Sequence, residues 1–418
     1  MANDTLSTIQ HTLKQQIEPE IQKQIDRAHV FFQVVRRDTE NIRLSGQALR
    51  YYITEQTARV QGVGVMLEAG AYPTPRAAAF AQQYADLSRM GGSILVSGDV
   101  KTASGGNHAL ADVVANNIKD LLAVMKDEAA AHVAGDGSGA LARIQTVTSG
   151  TVLTLYRNNL SPGSRHLEEG MRLDSYTVCT AAGKQAGGTI AMDSKTISSV
   201  DSATQITLDA TTSAVADDYL FREDTYGTAW MGVVGIIDDG TYQATFQGAT
   251  RSTTGYANAT VLTNPDGAGT VRDLTEDLMI QACDEASYKG GKPTMIYTTP
   301  AVRREYFALL AGDRRFTGAQ TKNLPGGFTA MTFSCGQHDL DWTVDEFARP
   351  GSIFVFNPAN WRIAEAEKLH WDTGAGETAG PLYRVQGYNK YQADAIWKWQ
   401  LVALKVRGAC VIRDLRVT

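Results

Sequence analysis

The chain has 418 residues, of which 43% are hydrophobic and 20% charged, and its formal net charge is −6. This composition is typical of a globular protein, and the length allows about three domains or one large mixed domain. With a pI near 5.7, the whole chain is not expected to be attracted to nucleic acid or to an anionic membrane. Composition therefore gives no indication of a nucleic-acid-binding or membrane-surface protein.

The sequence also lacks the signals of secretion and membrane insertion. No basic region followed by an apolar run stands at the start of the chain, and no run of about 18 apolar residues occurs anywhere. Cysteines lack the paired spacing of a disulfide scaffold or a zinc ribbon, which favours a reducing cytoplasm. The four are Cys179, Cys283, Cys335 and Cys410.

Motifs for catalysis or cofactor binding are missing. The chain contains no Gly-x-Ser-x-Gly elbow, no phosphate-binding loop ending in Gly-Lys-Ser/Thr and no His-Glu-x-x-His helix. Cys335 and His338 are only half a metal site, so we interpret them as a buried thiol and a surface imidazole. His132 and His166 are expected to be solvated. We therefore predict no catalytic, cofactor-binding or metal-binding residues.

Apolar residues recur at helical spacing in the first 37 residues, and Pro19 divides the pattern or begins a second helix. They are Leu6, Ile9, Leu13, Ile17, Ile21, Ile25 and Phe32. Because this apolar stripe is narrow, residues 1–40 are predicted to be a helical arm that needs a surface to pack against. The simplest such surface is the arm's own domain.

A second apolar periodicity predicts one long helix as the main element of residues 106–144, which we call the spine helix. Asn107 is its predicted N-cap, and Gly135 its predicted end. Its apolar face comprises Leu110, Val114, Ile118, Leu121, Leu122, Met125, Ala129 and Val133. Before the helix, Val60–Met66 and Ser93–Ser97 have the Val and Ile content of strands. Intrinsic propensity alone predicts a helix for the intervening Ala77–Met90.

Residues 145–223 show short alternating strands separated by turn residues, which predicts a small sandwich or barrel. The strands are Gly150–Leu155, Met171–Val178, Gly188–Met192, Lys195–Val200 and Thr204–Leu208. One interpretation of this β domain is a compact module with no binding function of its own.

The second half alternates helices and strands. We predict helices over residues 271–288, with Thr270 and Asp273 at capping-box-like spacing, and over residues 300–310, with a buried strand over Pro293–Thr298 between them. Strands Ala393–Lys405 and Ala409–Leu415 would complete a sheet beneath the spine helix. Trp397 and Trp399 lie on one face of the first of these, where core packing is the favoured interpretation.

Several motifs, in this order and spacing, resemble the major capsid proteins of tailed bacteriophages. They are Glu-Ala-Gly-Ala-Tyr-Pro-Thr-Pro at 68–75, Gly-Ser-Ile-Leu-Val-Ser at 92–97, the long helix, Gly-Asp-Gly-Ser-Gly at 135–139, Gly-Val-Val-Gly-Ile-Ile-Asp-Asp-Gly at 232–240 and Phe-Gln-Gly-Ala-Thr-Arg at 246–251. Residues 292–300 continue the resemblance, whereas the first 40 residues and 145–223 match less distinctly.

The resemblance implies an α+β chain with the Hong Kong 97 phage capsid fold. It would comprise an N-terminal helical arm, an extended β-hairpin loop within residues 41–105, the spine helix, an inserted all-β domain, a central axial domain over 224–350 and C-terminal strands over 351–418. For Ala77–Met90, the resemblance favours strand or irregular structure over helix. It also offers an alternative place for the arm, on a neighbouring subunit. For the inserted β domain it implies a role in bracing subunits or decorating the surface, as the alternative to a module without a binding function.

The implied function is structural. Copies of the chain would assemble through hexamers and pentamers into an icosahedral or prolate shell that encloses double-stranded DNA in a virion, built in the host cytoplasm with a portal, a scaffold and a decoration protein as partners. Candidate contacts between subunits are Glu68, Arg76, Arg89 and Arg251. Two alternatives remain: an encapsulin-like compartment, or a carbohydrate-binding or enzymatic protein that uses the β domain and the Trp397/Trp399 pair.

Overall fold

The structure of the chain is a computed structural model, which describes residues 30–46, 48–68, 70–97, 108–158, 161–177, 189–267, 270–311, 322–323, 329–330, 332–336, 338–372 and 383–416. Predictions for the arm before residue 30, for Asn107 and for Cys179 fall outside these residues. The described helices are α1 Val30–Val34, α2 His108–Ala134, α3 Val233–Ile236, α4 Glu276–Tyr288 and α5 Pro300–Ala311.

Strands make up most of the remaining regular structure. In chain order they are β1 Arg36–Asp38, β2 Ile42–Ser45, β3 Ala48–Ala58, β4 Ala79–Asp86, β5 Ser88–Ser97, β6 Ala142–Thr148, β7 Val152–Leu155, β8 Arg157–Asn158, β9 Ser161–Pro162, β10 Arg172–Tyr176, β11 Ile190–Ser202, β12 Gln205–Leu208, β13 Tyr219–Arg222, β14 Thr245–Phe246, β15 Ala249–Thr250, β16 Thr260–Leu262, β17 Met295–Thr298, β18 Lys322–Asn323, β19 Thr329–Ala330, β20 Thr332–Ser334, β21 Asp339–Val344, β22 Ile353–Phe356, β23 Trp361–Asp372, β24 Tyr383–Arg384, β25 Lys390–Ala403 and β26 Cys410–Ile412.

The long helix α2 packs on a sheet made by distant parts of the chain. Strand β25 pairs antiparallel with both β23 and β5, and β23 pairs parallel with β1. Gly92 on β5 lets the helix approach closely, because a Cβ there would lie 2.9 Å from Leu121 and from Met125. The predicted strand Ala393–Lys405 does return to this sheet as β25, but the prediction for Ala409–Leu415 is wrong, because β26 pairs with β16 and β22 in a different sheet.

The centre of this sheet is aromatic. Trp397 and Trp399 are buried and contact each other, with ring centroids 5.0 Å apart, and Phe32 and Trp230 pack against them. The Trp397 indole N–H donates to Glu365 at 2.7 Å. Both tryptophans belong to the core, as favoured from the sequence, and they do not form an exposed binding platform.

Six strands close the predicted β domain into a barrel, in the order β10, β11, β12, β7, β6 and β13. Its interior is filled with buried Leu and Ile side chains, so the barrel has a packed core of its own. Two of the predicted strands, Gly188–Met192 and Lys195–Val200, are parts of the single long strand β11. The barrel's first and last strands, β6 and β13, pair with each other.

A six-stranded sheet has the strand order β16, β26, β22, β17, β21 and β20. We call this sheet, together with helices α4 and α5, the axial part. Helix α4 packs on β26. Its N-cap is Thr275, whose hydroxyl accepts the N–H of Leu278 at 3.2 Å. The predicted start at residue 271, with Thr270 and Asp273 at capping-box-like spacing, is therefore wrong. Thr275 captures the orphan N–H instead. Helix α5 begins at Pro300, as predicted.

Candidate assembly surfaces

An extended hairpin is the most distinctive surface feature. Strands β3 and β4 pair antiparallel from Arg50–Asp86 to Ala58–Ala79, and the chain between them, residues 59–78, forms a loop without regular strands. We call this loop the tip. Among its described residues, one β-bridge joins Gln61 to Arg76. Ala77–Met90 is strand for most of its length, as the resemblance favoured. The predicted strand Val60–Met66 is wrong, because this segment is irregular.

Large apolar side chains of the tip face solvent. Val63, Leu67 and Tyr72 are 96%, 85% and 86% exposed, and Val65 is fully exposed. Four exposed large apolar side chains within ten residues are unusual on a monomer and mark a surface that another protein covers. A two-stranded hairpin is also marginal in water by itself. The tip therefore has the properties of a docking element.

Three of the four predicted contact residues lie on this hairpin or next to it. Glu68 and Arg76 belong to the tip, and Arg89 lies on β5 opposite Lys398. All three are exposed, and none of them makes an ion pair within the described residues. Their contacts with a neighbouring subunit remain a prediction.

The base of the hairpin is held by the Phe-Gln-Gly-Ala-Thr-Arg motif. Gln247 and Gly248 both have positive φ, 48° and 78°, and form the two-residue turn between β14 and β15. Gln247 O accepts the N–H of Tyr84 on β4 at 3.0 Å, and a Cβ at Gly248 would lie 2.5 Å from the Tyr84 ring. This contact was not predicted, although the Gln-Gly dipeptide is a turn signal.

Arg251 is buried inside its own subunit. It is 1% exposed, and its guanidinium donates to the backbone carbonyls of Asp238, Gly235 and Ile236, the last two at 2.7 and 3.1 Å. Two of these carbonyls belong to the C-terminal end of α3, where a cation is favoured. This burial argues against the predicted contact of Arg251 with another subunit, and gives it an internal structural role.

Around Arg251, charges are neutralised locally. Burial lowers the pKa of Arg251 to about 10, so it keeps its charge at neutral pH. Burial alone would raise the pKa of the Asp238 carboxyl, but the Arg413 guanidinium at 2.9 Å and backbone N–H groups outweigh it and lower that pKa. The motifs at 232–240 and 246–251 thus form one buried polar cluster beneath the hairpin base.

A half-buried carboxylate joins the spine helix to the barrel. Glu128 on α2 lies 3.1 Å from Arg222 on β13 and 3.4 Å from His132. Burial would raise the pKa of Glu128, but the hydrogen bond from His132 and the charge of Arg222 outweigh that effect and lower it. This ion pair positions the barrel on the helix.

The histidine and cysteine candidates show no catalytic arrangement. His166 is stacked on Phe347 instead of being solvated, with ring centroids 4.9 Å apart, and burial followed by the charge of Arg165 lowers its pKa to about 4. Cys335 and His338 are both half-buried, and the thiol donates to the His338 carbonyl at 3.4 Å. In the described part of the chain, no three acidic, His or Cys side chains form a group that could hold a metal.

A cavity of about 380 Å³ lies between the barrel, the end of the spine helix and the axial part, and Arg143, Ser161 and Arg349 are among its lining residues. Within the described ranges, no helix combines the length and apolar character that crossing a membrane would require.

Comparison with known proteins matches this geometry. Residues 236–378, which include Asp238 and Arg251 of the buried cluster and much of the axial part, match the family model of the SU10 major capsid protein. No curated protein matches the chain. Among solved structures, the capsid of cyanophage A-1(L) is similar with a TM-score of 0.52 and 12% identity, over 90% of this chain and 91% of that one.

Two further structures are similar at lower scores. The capsid of a native GTA particle has a TM-score of 0.43 at 10% identity, over 92% of this chain and 89% of that one. An encapsulin complex from Synechococcus elongatus PCC 7942 has a TM-score of 0.44 at 9% identity, over 92% and 87%. Of these three structures, the cyanophage capsid has the TM-score above 0.5 that shows a shared fold. The resemblance drawn from the sequence is thus confirmed: the chain has the fold of phage capsid proteins, and its residues 236–378 match the SU10 major capsid protein family.

Proposed function

We propose that this chain is the major capsid protein of a tailed phage, and that its activity is self-assembly into a closed shell. The observation that carries the proposal is the exposed apolar tip on a hairpin of the capsid fold. Val63, Val65, Leu67 and Tyr72 have no cover within the described parts of their own subunit. A second copy, which presents the same surface many times over, would provide that cover.

The energetics suit an assembly of many weak contacts. Burying a large apolar side chain contributes about 1.5–3 kcal/mol, so the four side chains of one tip would contribute roughly 6–12 kcal/mol before the entropic cost of ordering the loop. That is a modest contact for one pair of subunits. In a closed shell each subunit makes several such contacts at once, and the sum becomes large.

The proposed partners follow from the same function. The shell would enclose double-stranded DNA without reading its sequence, since a net charge of −6 gives the chain no overall attraction to phosphate. A portal, a scaffold and a decoration protein would complete the particle, which would be assembled in the host cytoplasm. Within this proposal the protein is structural and not an enzyme. Glu68 and Arg76 are candidate polar contacts at the tip, and Arg89 is a candidate contact on β5, beyond the base of the hairpin.

The experiment is size-exclusion chromatography and negative-stain microscopy of the full chain expressed alone. Shells, tubes, hexamers or pentamers are expected, and nuclease-protected DNA, as opposed to a protein cargo, would separate a phage capsid from an encapsulin-like compartment. A chain that stays monomeric at every protein and salt concentration would contradict autonomous assembly.

Paired variants test the tip itself. Val65→Asp with Leu67→Asp should abolish or strongly reduce assembly while leaving the thermal unfolding of the subunit unchanged, because both side chains are already in water. The matched control is Val215→Asp, which changes another exposed valine, 56% accessible, on the barrel side of the subunit. Equal assembly of the tip variant and the wild type would show that the tip is not a docking element.

A further inference from the structure

Three cysteines that are far apart in the sequence come together in the axial part. Cys283 lies on α4 and Cys410 on β26, and both are buried in one apolar cluster. Cys335, directly after β20, is half-buried and packs against the same cluster. Sequence spacing gave no sign of this convergence, because the intervening segments are brought together only by the tertiary fold.

The three thiols differ in environment. Cys283 and Cys335 are hydrogen-bonded to each other, and burial, followed by this hydrogen bond, raises the pKa of the Cys283 thiol far above its usual range. Cys335 is the partly exposed member of the pair. Cys410 is completely buried, and burial raises its pKa to about 12. Only the Cys283–Cys335 pair therefore combines direct contact with access from solvent.

We propose that Cys283 and Cys335 form an oxidation site, which an external disulfide such as oxidised glutathione converts into an intramolecular cross-link. The Cys335 thiolate attacks one glutathione sulfur, forms a mixed disulfide and releases one glutathione thiolate. The Cys283 sulfur then attacks the Cys335 sulfur, its proton passes to the departing glutathione sulfur, and the second glutathione leaves as the thiol. The two protein thiols are oxidised, and one oxidised glutathione is reduced to two glutathione molecules.

The cross-link would tie helix α4 to the β20–β21 hairpin and close a loop that contains β17 and α5. In the reducing cytoplasm the thiols stay reduced, which leaves the axial part free to adjust during assembly. A particle released into an oxidising medium would acquire the cross-link. This timing rests on the proposed function, whereas the cross-link itself depends only on the folded chain.

The test uses the full chain carrying Cys179→Ser, so that only the three described cysteines remain. The folded protein is incubated with oxidised glutathione, unfolded, alkylated with iodoacetamide and digested with trypsin. Cys283, Cys335 and Cys410 fall in separate tryptic peptides, residues 273–289, 323–362 and 408–413. The expected product is peptide 273–289 joined to peptide 323–362, with Cys410 alkylated.

Two results would overturn the proposal. Full alkylation of Cys283 and Cys335 after treatment would show that the pair is not oxidised, and glutathione retained on Cys335 would show that Cys283 does not resolve the mixed disulfide. Because the readout is covalent and independent of assembly, a negative result here leaves the shell proposal standing. A chain that cross-links but never assembles would instead count against the shell proposal.

Variants give a second, physical readout. Oxidation should raise the melting temperature of the Cys179→Ser chain by about 5 °C, since the cross-link restricts the unfolded chain. Cys335→Ser should remove this shift, and Cys410→Ser, the matched control, should keep it. An equal shift in all three proteins would assign the effect to another cause and refute the site.

Discussion

Replacing Arg251 by methionine removes the donors for three buried backbone carbonyls while keeping an unbranched side chain of similar length. Each buried acceptor left without a partner costs about 1–3 kcal/mol, and release from burying the guanidinium charge offsets part of that loss. We therefore expect Arg251→Met to lower the free energy of unfolding by about 3 kcal/mol. Arg251→Lys keeps the charge but not the forked geometry, so its free energy of unfolding should lie between those of the wild type and Arg251→Met.

The measurement is urea unfolding of the unassembled chain followed by tryptophan fluorescence, which reports on the buried Trp230, Trp397 and Trp399. A lower midpoint with an unchanged slope is expected, because the variant changes stability and not the surface exposed on unfolding. Arg251→Met with a wild-type midpoint would refute the reasoning. So would a wild-type midpoint combined with lost assembly, since that would return Arg251 to the role of a subunit contact.

Three further changes test other contacts. Gly92→Ala should destabilise the chain by about 1–2 kcal/mol in the same urea assay, because the new Cβ meets the spine helix, whereas Gly91→Ala, whose Cβ would have no atom nearer than 4.0 Å, should be nearly neutral. Glu128→Gln should cost about 2 kcal/mol at pH 7 by breaking the ion pair with Arg222. The folded-state pKa of Glu128 lies below its ordinary value of 4.5. The difference in the free energy of unfolding between the wild type and Glu128→Gln should therefore be complete above pH 4.5 and vanish as the pH falls through the folded pKa. Unfolding curves from pH 7 to 3 would show this loss. Trp397→Phe should cost about 2 kcal/mol by leaving a buried carboxylate without its indole donor, and an unchanged melting temperature would contradict this.

Local periodicity was sufficient to predict the spine helix, helix α5 and four of the six barrel strands, because each of these elements buries one face on its neighbours, whereas β6 and β13 were not predicted. Prediction from local sequence failed where tertiary contacts determine the secondary structure. Ala77–Met90 contains good helix formers, yet the pairing of β4 with β3 and of β5 with β25 fixes it as strand. Only the resemblance, and not propensity, favoured this outcome.

Glu68, Arg76 and Arg89 are exposed, and their contacts with another subunit stay a prediction, whereas Arg251 is buried. A sequence pattern cannot show whether an arginine faces solvent or three carbonyls. The ion pair of Glu128 with Arg222 joins residues almost a hundred positions apart, so no local signal could have indicated it.

The pairing of β6 with β13 means that the chain enters and leaves the barrel through adjacent strands. Residues 142–222 are therefore a closed excursion from the path of the polypeptide, and the two points where it departs and returns lie side by side. A segment with this geometry can be lengthened, replaced by an unrelated domain or cut back to a short turn while the ends of the remaining chain stay in place. The same geometry makes the barrel loops far from this junction suitable positions for inserting a foreign peptide.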